Sequence, residues 1–344
     1  MISSIFRCMT GADNYPRVSF IIPTLNAAAI LENCLASIAR QTYPDDRYEI
    51  LIADAHSKDA TRDIAAEFGA TILDDDGRNM EEGKRLALSH ATGEYILFLD
   101  ADNELAHADY VEKAVEALAE NTQALGVESY YLPSAKMSSF CAYLTYLLHI
   151  SDPICWLLSV NPVLTAKDGE VERWRLPGES QAYPLGANGF VFRKADLDAV
   201  KAGEHFQDTH IALYLMEKGK REWLRIRGRG VHHYYAQTLW GFVQKRRRAT
   251  VHFLNVRSEV TTSWMEEKPP IPSWLACLYC ITFVGPIYHT LLGLLRDRDP
   301  RWLWHVPASI GSLLGVIWGF QTHVVHSKEK RLIADLQPRQ TLKR

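Results

Sequence analysis

The feature that most constrains this 344-residue chain is an alternation of strand-like and helix-like segments between Arg17 and Leu105. Short runs rich in β-branched residues predict strands, and apolar residues three and four positions apart predict helices that cover a sheet. The expected strands are Val18–Pro23, Tyr48–Ala53, Ala70–Leu73 and Tyr95–Leu99, and the expected helices are Ile30–Ile38, Thr61–Phe68, Glu81–His90 and, beyond this region, Tyr110–Leu118. This order predicts an α/β fold with a mostly parallel central sheet and flanking helices.

Polar segments follow three of the expected strands. They are Pro23–Asn26, Asp54–Asp59 and Asp100–Asp102. Open α/β sheets bind their ligands beyond the carboxyl ends of the strands. The sequence therefore predicts a ligand site at this edge of the sheet.

Two carboxylates, Asp100 and Asp102, directly follow the fourth expected strand. If the extended geometry continues, alternate side chains point the same way and both acids face one divalent cation. Oxygen ligands that leave coordination positions open suit Mg²⁺ or Mn²⁺ bridging to a diphosphate. The alternative is a solvated turn or a helix cap, where an Asp-x-Asp pair is common.

The charge of the chain is nearly balanced, and its formal net charge of -3 argues against nucleic-acid binding. Basic residues are nevertheless concentrated in the second half, at Arg225, Arg227, Arg229 and Lys245–Arg248. This basic block is either a solvated face or a site for an anionic group.

The six cysteines lack the spacing of a disulfide framework, which indicates reduced thiols in a protein that faces the cytosol. Cys277 and Cys280 lie in an apolar run without further ligands, so we interpret them as packing residues. Residues 1–15 contain no long apolar core, and no secretory signal peptide is expected there.

Two C-terminal segments, Ser273–Leu295 and Trp302–Val325, are uncharged over roughly 23 residues each, which is the length of a membrane-spanning helix. They predict a helical hairpin in the bilayer. Pro286 and Pro307 interrupt these segments, and the connecting Arg296–Arg301 is basic, so a re-entrant or surface-lying pair is the alternative.

A third apolar segment, Ser138–Ala166, carries only one charged residue, Asp152. Pro153 and Pro162 divide it into parts too short to cross a bilayer as a helix. The segment is either part of a buried core or an element that faces the membrane.

Four motifs in this order resemble those of the family 2 glycosyltransferases, whose catalytic domain has the fold called GT-A. They are Ile21–Asn26 (IIPTLN), Asp54 with Ser57–Thr61 (SKDAT), Ala91–Asp102 (ATGEYILFLDAD) and Gly186–Arg193 (GANGFVFR). The resemblance covers about Val18 to Phe253. It implies an N-terminal extension at 1–15, a GT-A domain at 16–256 that includes the apolar segment, two membrane helices at 271–326 and a basic tail at 327–344.

The resemblance further implies a nucleotide site. Its residues would be Pro23, Thr24, Asn26, Asp54, Arg78, Lys84 and Asp100. Asp54 would accept hydrogen bonds from the edge of the base, although a local turn or helix cap is the alternative for this side chain. Lys84 and Arg78 would contact the diphosphate or the base, or they are ordinary surface charges.

The metal ligands implied by the resemblance are Asp102, Asp100 and His232, with Mg²⁺ or Mn²⁺ as the ion. Asp208 occupies the place of the family's catalytic base, although Gln207 stands where an acid is common; Glu204 is the alternative base, and a plain helix start is the alternative role for Asp208. Arg247 would bind an acceptor or a phosphate.

The resemblance implies a metal-dependent, inverting glycosyltransferase that uses a nucleotide-sugar donor. The apolar segments and the basic block favour a membrane-held acceptor, such as a polyprenyl-phosphate or a lipid-linked saccharide, at the cytosolic face of the inner membrane. The alternatives are a polysaccharide glycosyltransferase with a simple membrane anchor and a non-catalytic nucleotide-binding scaffold.

Overall fold

The computed structural model of the chain describes residues 15–77, 79–177, 183, 185–186, 188–200, 202, 208–256 and 271–336. These residues form two compact units. The first contains the described residues up to Ser134 together with Val160–Tyr234, and the second contains Ala135–Ser159 and the described residues from Tyr235 onward.

The first unit is an α/β domain. Its strands are β1 (Val18–Thr24), β2 (Tyr48–Asp54), β3 (Thr71–Asp74), β4 (Tyr95–Phe98), β5 (Asn103–Leu105), β6 (Tyr130–Tyr131), β7 (Val163–Asp168), β8 (Val171–Arg175), β9 (Phe190–Arg193), β10 (Glu222–Ile226) and β11 (Gly230–His233). Its helices are α1 (Ala28–Ala39), α2 (Thr61–Glu67), α3 (Met80–His90), α4 (Tyr110–Glu120), α7 (Lys194–Ala199) and α8 (Asp208–Glu217), with a 3₁₀ turn at Asp45–Arg47.

The central sheet has five strands in the order β3-β2-β1-β4-β9. The first four are parallel, and β9 is added antiparallel to β4, with Val191 opposite Leu97. The predicted mostly parallel sheet is confirmed, and each of its four predicted strands lies within one residue of the observed strand. The sheet therefore collects the carboxyl ends of β1, β2, β3 and β4 at one edge.

The core of this unit forms because the central strands are buried on both faces. Phe20 and Ile22 of β1 and Leu97 of β4 have no exposed surface, as expected for strands flanked on both sides. They belong to one cluster with Leu35 of α1 and Tyr110 of α4. Burying each such side chain contributes about 1.5–3 kcal/mol, which fixes the register of strands and helices.

A small sheet, β5-β11-β6, extends the site edge of the domain. Strand β11 runs antiparallel to β5 and places His233 opposite Asn103 and His232 opposite Glu104. A second small sheet has the order β10-β8-β7. The first of these sheets brings two histidines close to the acidic motif that follows β4.

The second unit is helical. Its elements are α5 (Ser139–Leu144), a 3₁₀ segment (Thr145–Ile150), α6 (Pro153–Leu158), α9 (Leu239–Val256), α10 (Ser273–Thr282), α11 (Val284–Asp297), a 3₁₀ turn (Pro300–Trp304) and α12 (His305–Leu336). Phe140, Tyr143, Phe242 and Trp302 form the centre of one apolar cluster in this unit.

The apolar segment Ser138–Ala166 does not act as one insert. Residues up to Ser159 fold with the C-terminal helices, whereas Val163–Asp168 is a strand of the α/β domain with every residue exposed. Helix α6 starts at Pro153, where proline is tolerated, and the buried Asp152 caps it by accepting the amide of Cys155 at 2.8 Å.

The predicted span Ser273–Leu295 is not one helix. It breaks at Phe283, which has a left-handed φ of 61°, and the two parts meet at an angle of 74°. Pro286 explains the position of the break, because its ring clashes with the carbonyl of the residue four positions earlier, Thr282. Pro307 causes no interruption, since it lies in the first turn of α12.

By length and composition, one helical stretch in the described part of the chain, Pro300–Val325, could cross a membrane. The bent pair Trp274–Thr282 and Val284–Asp297 would add a second only if it is counted as one span. Several apolar side chains on these helices are exposed, including Val284 at 71% and Leu295 at 77%.

Helices α9 and α12 pack closely along a row of glycines, Gly311, Gly315 and Gly319. A Cβ atom at Gly315 would lie 2.9 Å from the carbonyl oxygen of Val243 and 2.7 Å from Cβ of Arg246. At Gly319 it would lie 2.6 Å from Cβ of Thr250. Small residues four positions apart allow such backbone approach.

We expect Gly315→Ala to lower the melting temperature of the protein, because the new methyl group meets backbone on α9 at a cost of about 1–3 kcal/mol. This cost exceeds the gain of about 1 kcal/mol that alanine brings to a helix. Thermal unfolding followed by circular dichroism in detergent measures the effect.

The matched control is Gly241→Ala on α9, where the nearest atom to the added Cβ is the Thr238 hydroxyl oxygen at 3.1 Å. Its melting temperature should stay unchanged or rise. A Gly315→Ala protein as stable as this control would contradict the packing described above.

Candidate active site

The carboxyl ends of β1, β2 and β3 lie side by side. Thr24 is the register partner of Asp54, and Asp54 is the partner of Asp74. The Thr24 hydroxyl donates a hydrogen bond of 2.9 Å to Oδ1 of Asp54. The structure thus brings the first two predicted polar segments together at the edge where α/β sheets bind ligands.

Asp54 is completely buried and holds the loop that follows β2. Its carboxylate accepts bonds from the amide of Ser57 at 3.0 Å, the hydroxyl of Ser57 at 2.5 Å and the guanidinium of Arg62 at 3.3 Å. Burial alone would raise the pKa of Asp54, but the bonds from Ser57, Thr24 and Arg62 outweigh it and hold the pKa below its ordinary value. The local turn that the sequence left as an alternative is present, and a base would reach this side chain only after the loop moves.

Asn26 and Pro23 complete the β1 end of the site. Asn26 adopts a left-handed φ of 50°, which asparagine tolerates, and its side-chain oxygen accepts the amide of Lys58 at 2.8 Å. Its own amide donates to the Ser57 hydroxyl at 2.8 Å. Pro23 is half-buried within β1. Arg78, also predicted for this site, lies outside the described residues.

Lys84 of α3 forms an ion pair with Asp100. The lysine side chain is fully buried, and its Nζ lies 3.2 Å from Oδ1 of Asp100. A buried ammonium requires an anionic partner, so this pair fixes α3 against the end of β4. The predicted contact of Lys84 with a diphosphate or a base stays a prediction.

Asp100 and Asp102 lie in a turn and not in an extended strand. The amide of Asn103 donates to the carbonyl of Asp100 at 3.0 Å, which closes a turn directly after β4. Within a turn, the alternation of an extended strand no longer holds. Oδ1 of Asp100 lies beside the Lys84 ammonium, and Oδ1 of Asp102 lies 3.7 Å from Nε2 of His233. That both acids face one cation stays a prediction.

His233, not the predicted His232, lies beside Asp102. The two residues are neighbours on β11, so their side chains point to opposite faces of the strand. His232 Nδ1 is 2.9 Å from the carbonyl oxygen of Leu132, whereas the buried His233 ring packs edge-on against the Tyr131 ring at 4.9 Å. The sequence identified the motif but not which of its two histidines faces the site.

Asn188 connects the residues that hold Asp102 and His233. Its side-chain oxygen accepts the Asn103 amide group at 3.1 Å, and Asn103 also donates to Oδ1 of Asp102 at 2.9 Å. Its side-chain nitrogen donates to the Tyr131 hydroxyl at 2.6 Å. Sequence analysis named Asn188 only as part of a motif and missed Asn103. Both act as supports, because they fix the side chains against which Asp102 and His233 rest.

Asp208 is the first residue of α8, consistent with either predicted role. Its side chain is not among those described, and Gln207 and Glu204 lie outside the described residues. Arg247 belongs to the second unit, where its guanidinium carbon lies 4.4 Å from the centroid of the Trp318 ring.

The donor atoms at Asp102 and His233 fit a divalent cation. Two ligands at about 2.1 Å from one ion lie about 3 Å apart, close to the observed 3.7 Å. Each carboxylate oxygen has two lone pairs, so the bond from Asn103 leaves acceptor capacity on Asp102. In the described parts of the chain, no three His, Cys, Asp or Glu side chains converge. An ion here would take its remaining ligands from a diphosphate and water.

A solved structure shares this architecture. The mannosyltransferase PcManGT from Pyrobaculum calidifontis, in complex with GDP-Man and Mn²⁺, matches 91% of this chain and 88% of its own chain with a TM-score of 0.52 at 17% sequence identity. At this identity the likeness concerns the fold, which is the predicted GT-A fold.

Residues 19–134 match the family model described as Glycosyl transferase family 2. This part of the chain is thus similar to a family 2 glycosyltransferase domain. The matched residues run from β1 past the acidic turn and β6, so the matched segment includes Asp54, Asp100 and Asp102.

Curated relatives match about a third of this chain. A PGL/p-HBAD biosynthesis glycosyltransferase of Mycobacterium tuberculosis is 38% identical over 112 residues, which are 31% of this chain and 43% of the relative. The GalNAc(5)-diNAcBac-PP-undecaprenol beta-1,3-glucosyltransferase of Campylobacter jejuni is 33% identical over 117 residues, with coverages of 30% and 36%. The chain thus spans less than half the length of these relatives.

Replacing His233 with alanine should weaken Mn²⁺ binding, measured with a nucleoside diphosphate present, by at least about tenfold. Loss even of an outer partner of a metal ligand costs about 10- to 100-fold. His232→Ala is the matched control and should retain binding, because it removes the adjacent ring from the opposite face of β11. Electron paramagnetic resonance of free and bound Mn²⁺ measures both, and equal losses in the two variants would contradict the assignment.

Proposed function

We propose that the protein moves a sugar from a nucleotide-sugar donor to a membrane-held acceptor, with inversion at the anomeric carbon. One observation carries this proposal: Asp102 and His233 converge beside the carboxyl edge of a family 2 domain, at 3.7 Å from each other. That edge is where a nucleotide and its diphosphate bind in open α/β sheets. A carboxylate and an imidazole provide metal ligands close to it.

The bound ion would be Mn²⁺ or Mg²⁺, held by Asp102 and His233. It would supply positive charge to the diphosphate as the bond to the sugar breaks. The imidazole favours Mn²⁺ over Mg²⁺, because nitrogen ligands suit transition-metal ions and Mg²⁺ prefers oxygen. Asn103 and Tyr131 would hold the two side chains in place before the donor arrives.

The ends of β1 and β2 would bind the nucleotide. Pro23 and Thr24 end β1, and Asn26 follows them. Thr24 donates to the buried Asp54, and Asn26 donates to Ser57 in the loop that Asp54 holds. Asp54 would then shape the base pocket, and it would contact the base directly after a movement of residues 55–59. Asp100, which is partly exposed, would remain available to the nucleotide while paired with Lys84. Arg78 would add positive charge near the diphosphate.

Asp208 would act as the base when the acceptor is a hydroxyl. Its carboxylate would take the acceptor proton as the acceptor oxygen bonds to the anomeric carbon from the face opposite the leaving group. The bond from that carbon to the diphosphate oxygen breaks, and the nucleoside diphosphate leaves with the electron pair. A phosphate acceptor is already ionised near neutral pH and needs no base.

A variant of Asp208 therefore distinguishes a hydroxyl acceptor from a phosphate acceptor. Asp208→Asn should lower the rate of the chemical step by at least about 10²-fold with a lipid-linked saccharide, because general base catalysis contributes about 10²- to 10⁴-fold. With a polyprenyl-phosphate the rate should change little. Single-turnover rates and nucleotide affinity, measured together, test this prediction.

A loss of rate after Glu204→Gln but not after Asp208→Asn would move the base to Glu204. Full activity of both variants towards a hydroxyl acceptor would show that neither Asp208 nor Glu204 is the base.

The second unit supports a lipid-linked acceptor. An open apolar cavity of about 710 Å³ lies between α9 and α12, lined by Trp240, Val243, Leu314 and Trp318 among others. Its volume is in the range of about 300–1,000 Å³ found for ligand pockets, and the guanidinium of Arg247 stacks on one of its walls at Trp318. An apolar cavity beside the Arg247 guanidinium suits a lipid chain that carries a phosphate. The name of the Campylobacter relative describes an acceptor of this kind.

Arg247→Ala should raise the KM for a polyprenyl-phosphate or lipid-linked acceptor by about tenfold or more, because a hydrogen bond to a charged group contributes about 1.5–3 kcal/mol. The KM for the donor should stay the same. Arg227→Ala, which removes an exposed arginine of the first unit, is the control. An unchanged acceptor KM in Arg247→Ala would exclude Arg247 from acceptor binding.

The main rival function is a non-catalytic nucleotide-binding scaffold. Incubating membranes that contain the protein with a panel of nucleotide sugars and extracted lipids separates the two functions. Sugar recovered in the lipid phase, and lost after Asp102→Ala or chelation, supports transfer. Nucleotide binding without any product supports the scaffold, and product in a soluble glycan supports the polysaccharide alternative. The catalytic side would face the cytosol at the inner membrane, because the nucleotide-sugar donor is supplied there.

A further inference from the structure

The helices of the second unit expose a large apolar surface. Its members on α10, α11 and the following turn include Trp274, Ile281, Val284, Leu291, Leu295 and Leu303. Soluble domains rarely expose so many neighbouring apolar side chains unless a partner or a membrane covers them. The packing of α9 on α12 and the bend between α10 and α11 determine how such a surface could bind a bilayer.

The first fact is that α12 is joined along its middle to a basic helix. Gly315 packs against α9 at Val243 and Arg246, and Gly319 packs at Arg247. Gly315 lies 10 residues before Val325, the end of the apolar stretch, which is about 15 Å of helix. If α12 crossed a bilayer, the part of α9 that packs on its middle turns would lie at the centre of the hydrocarbon region.

The basic residues of α9 could not be shielded at that depth. Lys245–Arg248 are consecutive, and consecutive residues of a helix point about 100° apart, so the four side chains surround α9. Arg246 pairs with Asp152 at 3.4 Å, but Arg248 is exposed. Charged side chains at the centre of a bilayer are strongly unfavourable. The α9–α12 pair therefore fits the polar–apolar boundary and not the interior.

The second fact is the 74° bend between α10 and α11. Such a pair does not cross a bilayer as one rod, and both of its parts expose apolar side chains. The last turn of α11 and the link that follows it carry Arg296, Arg298 and Arg301. A two-span hairpin would place them on the non-cytosolic side, against the usual bias of basic loops. A bent pair that returns to its starting side keeps these arginines in the cytosol.

We propose that the second unit is a monotopic membrane-binding element that lies in the cytosolic leaflet and crosses the bilayer nowhere. The apolar side chains of α10 and α11 enter the acyl region, and Arg248 with the basic link faces anionic headgroups. Exposed aromatic residues such as Trp240 and Trp274 suit the interface between the two regions. The choice of the cytosolic leaflet rests on the proposed function, because donor supply sets that side, whereas the absence of a crossing concerns only where the helices lie.

Topology in cells tests the absence of a crossing. One variant carries Arg298→Cys in the link, and another carries Thr341→Cys in the tail. The unsubstituted protein measures the background labelling of the native cysteines. An impermeant thiol reagent should label neither site on intact cells and both after permeabilisation. Labelling of the link alone on intact cells would show the two-span hairpin, and labelling of the tail alone would show that α12 crosses; either result overturns the proposal.

Vesicle binding of the purified full chain provides the second measurement. Arg248→Gln should lower the partition onto phosphatidylcholine vesicles that contain phosphatidylglycerol by about fivefold, since one basic residue near an anionic surface contributes about that factor. It should have little effect on pure phosphatidylcholine. Arg227→Gln, with the same loss of charge on the first unit, should bind like the wild type.

A substitution in the apolar part of the surface tests its contribution to lipid binding separately. Val284→Asp should weaken binding to both kinds of vesicle, and it should leave folding intact because Val284 is largely exposed in the free chain. Equal binding by Val284→Asp, Arg248→Gln and the wild type would show that this surface does not bind lipid. Loss of glycosyl transfer with normal vesicle binding would count against the proposed function and leave this inference standing.

Discussion

The tight turn from Asp100 to Asn103 is the constraint on which the candidate site depends. It ends β4, starts β5 and carries both acids of the motif. Asp100 lies beside the buried Lys84 on α3, and Asp102 lies beside His233 on β11. The hydrogen bond from the Asn103 amide to the Asp100 carbonyl closes this turn and so positions both carboxylates.

The sequence predicted the parallel part of the fold well, because local signals and the global fold agree there. Strands such as Val18–Thr24 are nearly continuous apolar runs, and helices such as Tyr110–Glu120 show clear periodicity. The site was predicted less completely. The turn after β4 depends on side chains from distant parts of the chain, and the choice between His232 and His233 depends on the register of β11 with β5. Neither contact leaves a local pattern in the sequence.

In the helical unit too, the sequence predicted local features but not contacts between distant parts of the chain. Its apolar segments were visible in the sequence, and the uncharged length of each favoured two spans. The bend at Phe283 agrees with the effect of Pro286 on the preceding carbonyl. What the sequence could not show is that the basic helix α9 packs along the middle of α12, which contains most of the stretch long and apolar enough to cross a membrane. Spacing of small residues at Gly311, Gly315 and Gly319 was the available signal, and it became meaningful only with the partner helix known.

Binding of the exposed apolar face of α10 and α11 to a leaflet, as proposed above, would have a kinetic consequence. An enzyme confined to the plane of a leaflet meets a lipid substrate by diffusion in two dimensions, so the relevant concentration is the mole fraction of acceptor in that leaflet and not its amount per volume. Confinement of both partners raises their effective concentration without any new contact between them. Dilution of the acceptor with inert lipid would then slow encounter even at constant bulk concentration, and the lipid composition of the membrane would itself regulate the rate of glycan synthesis.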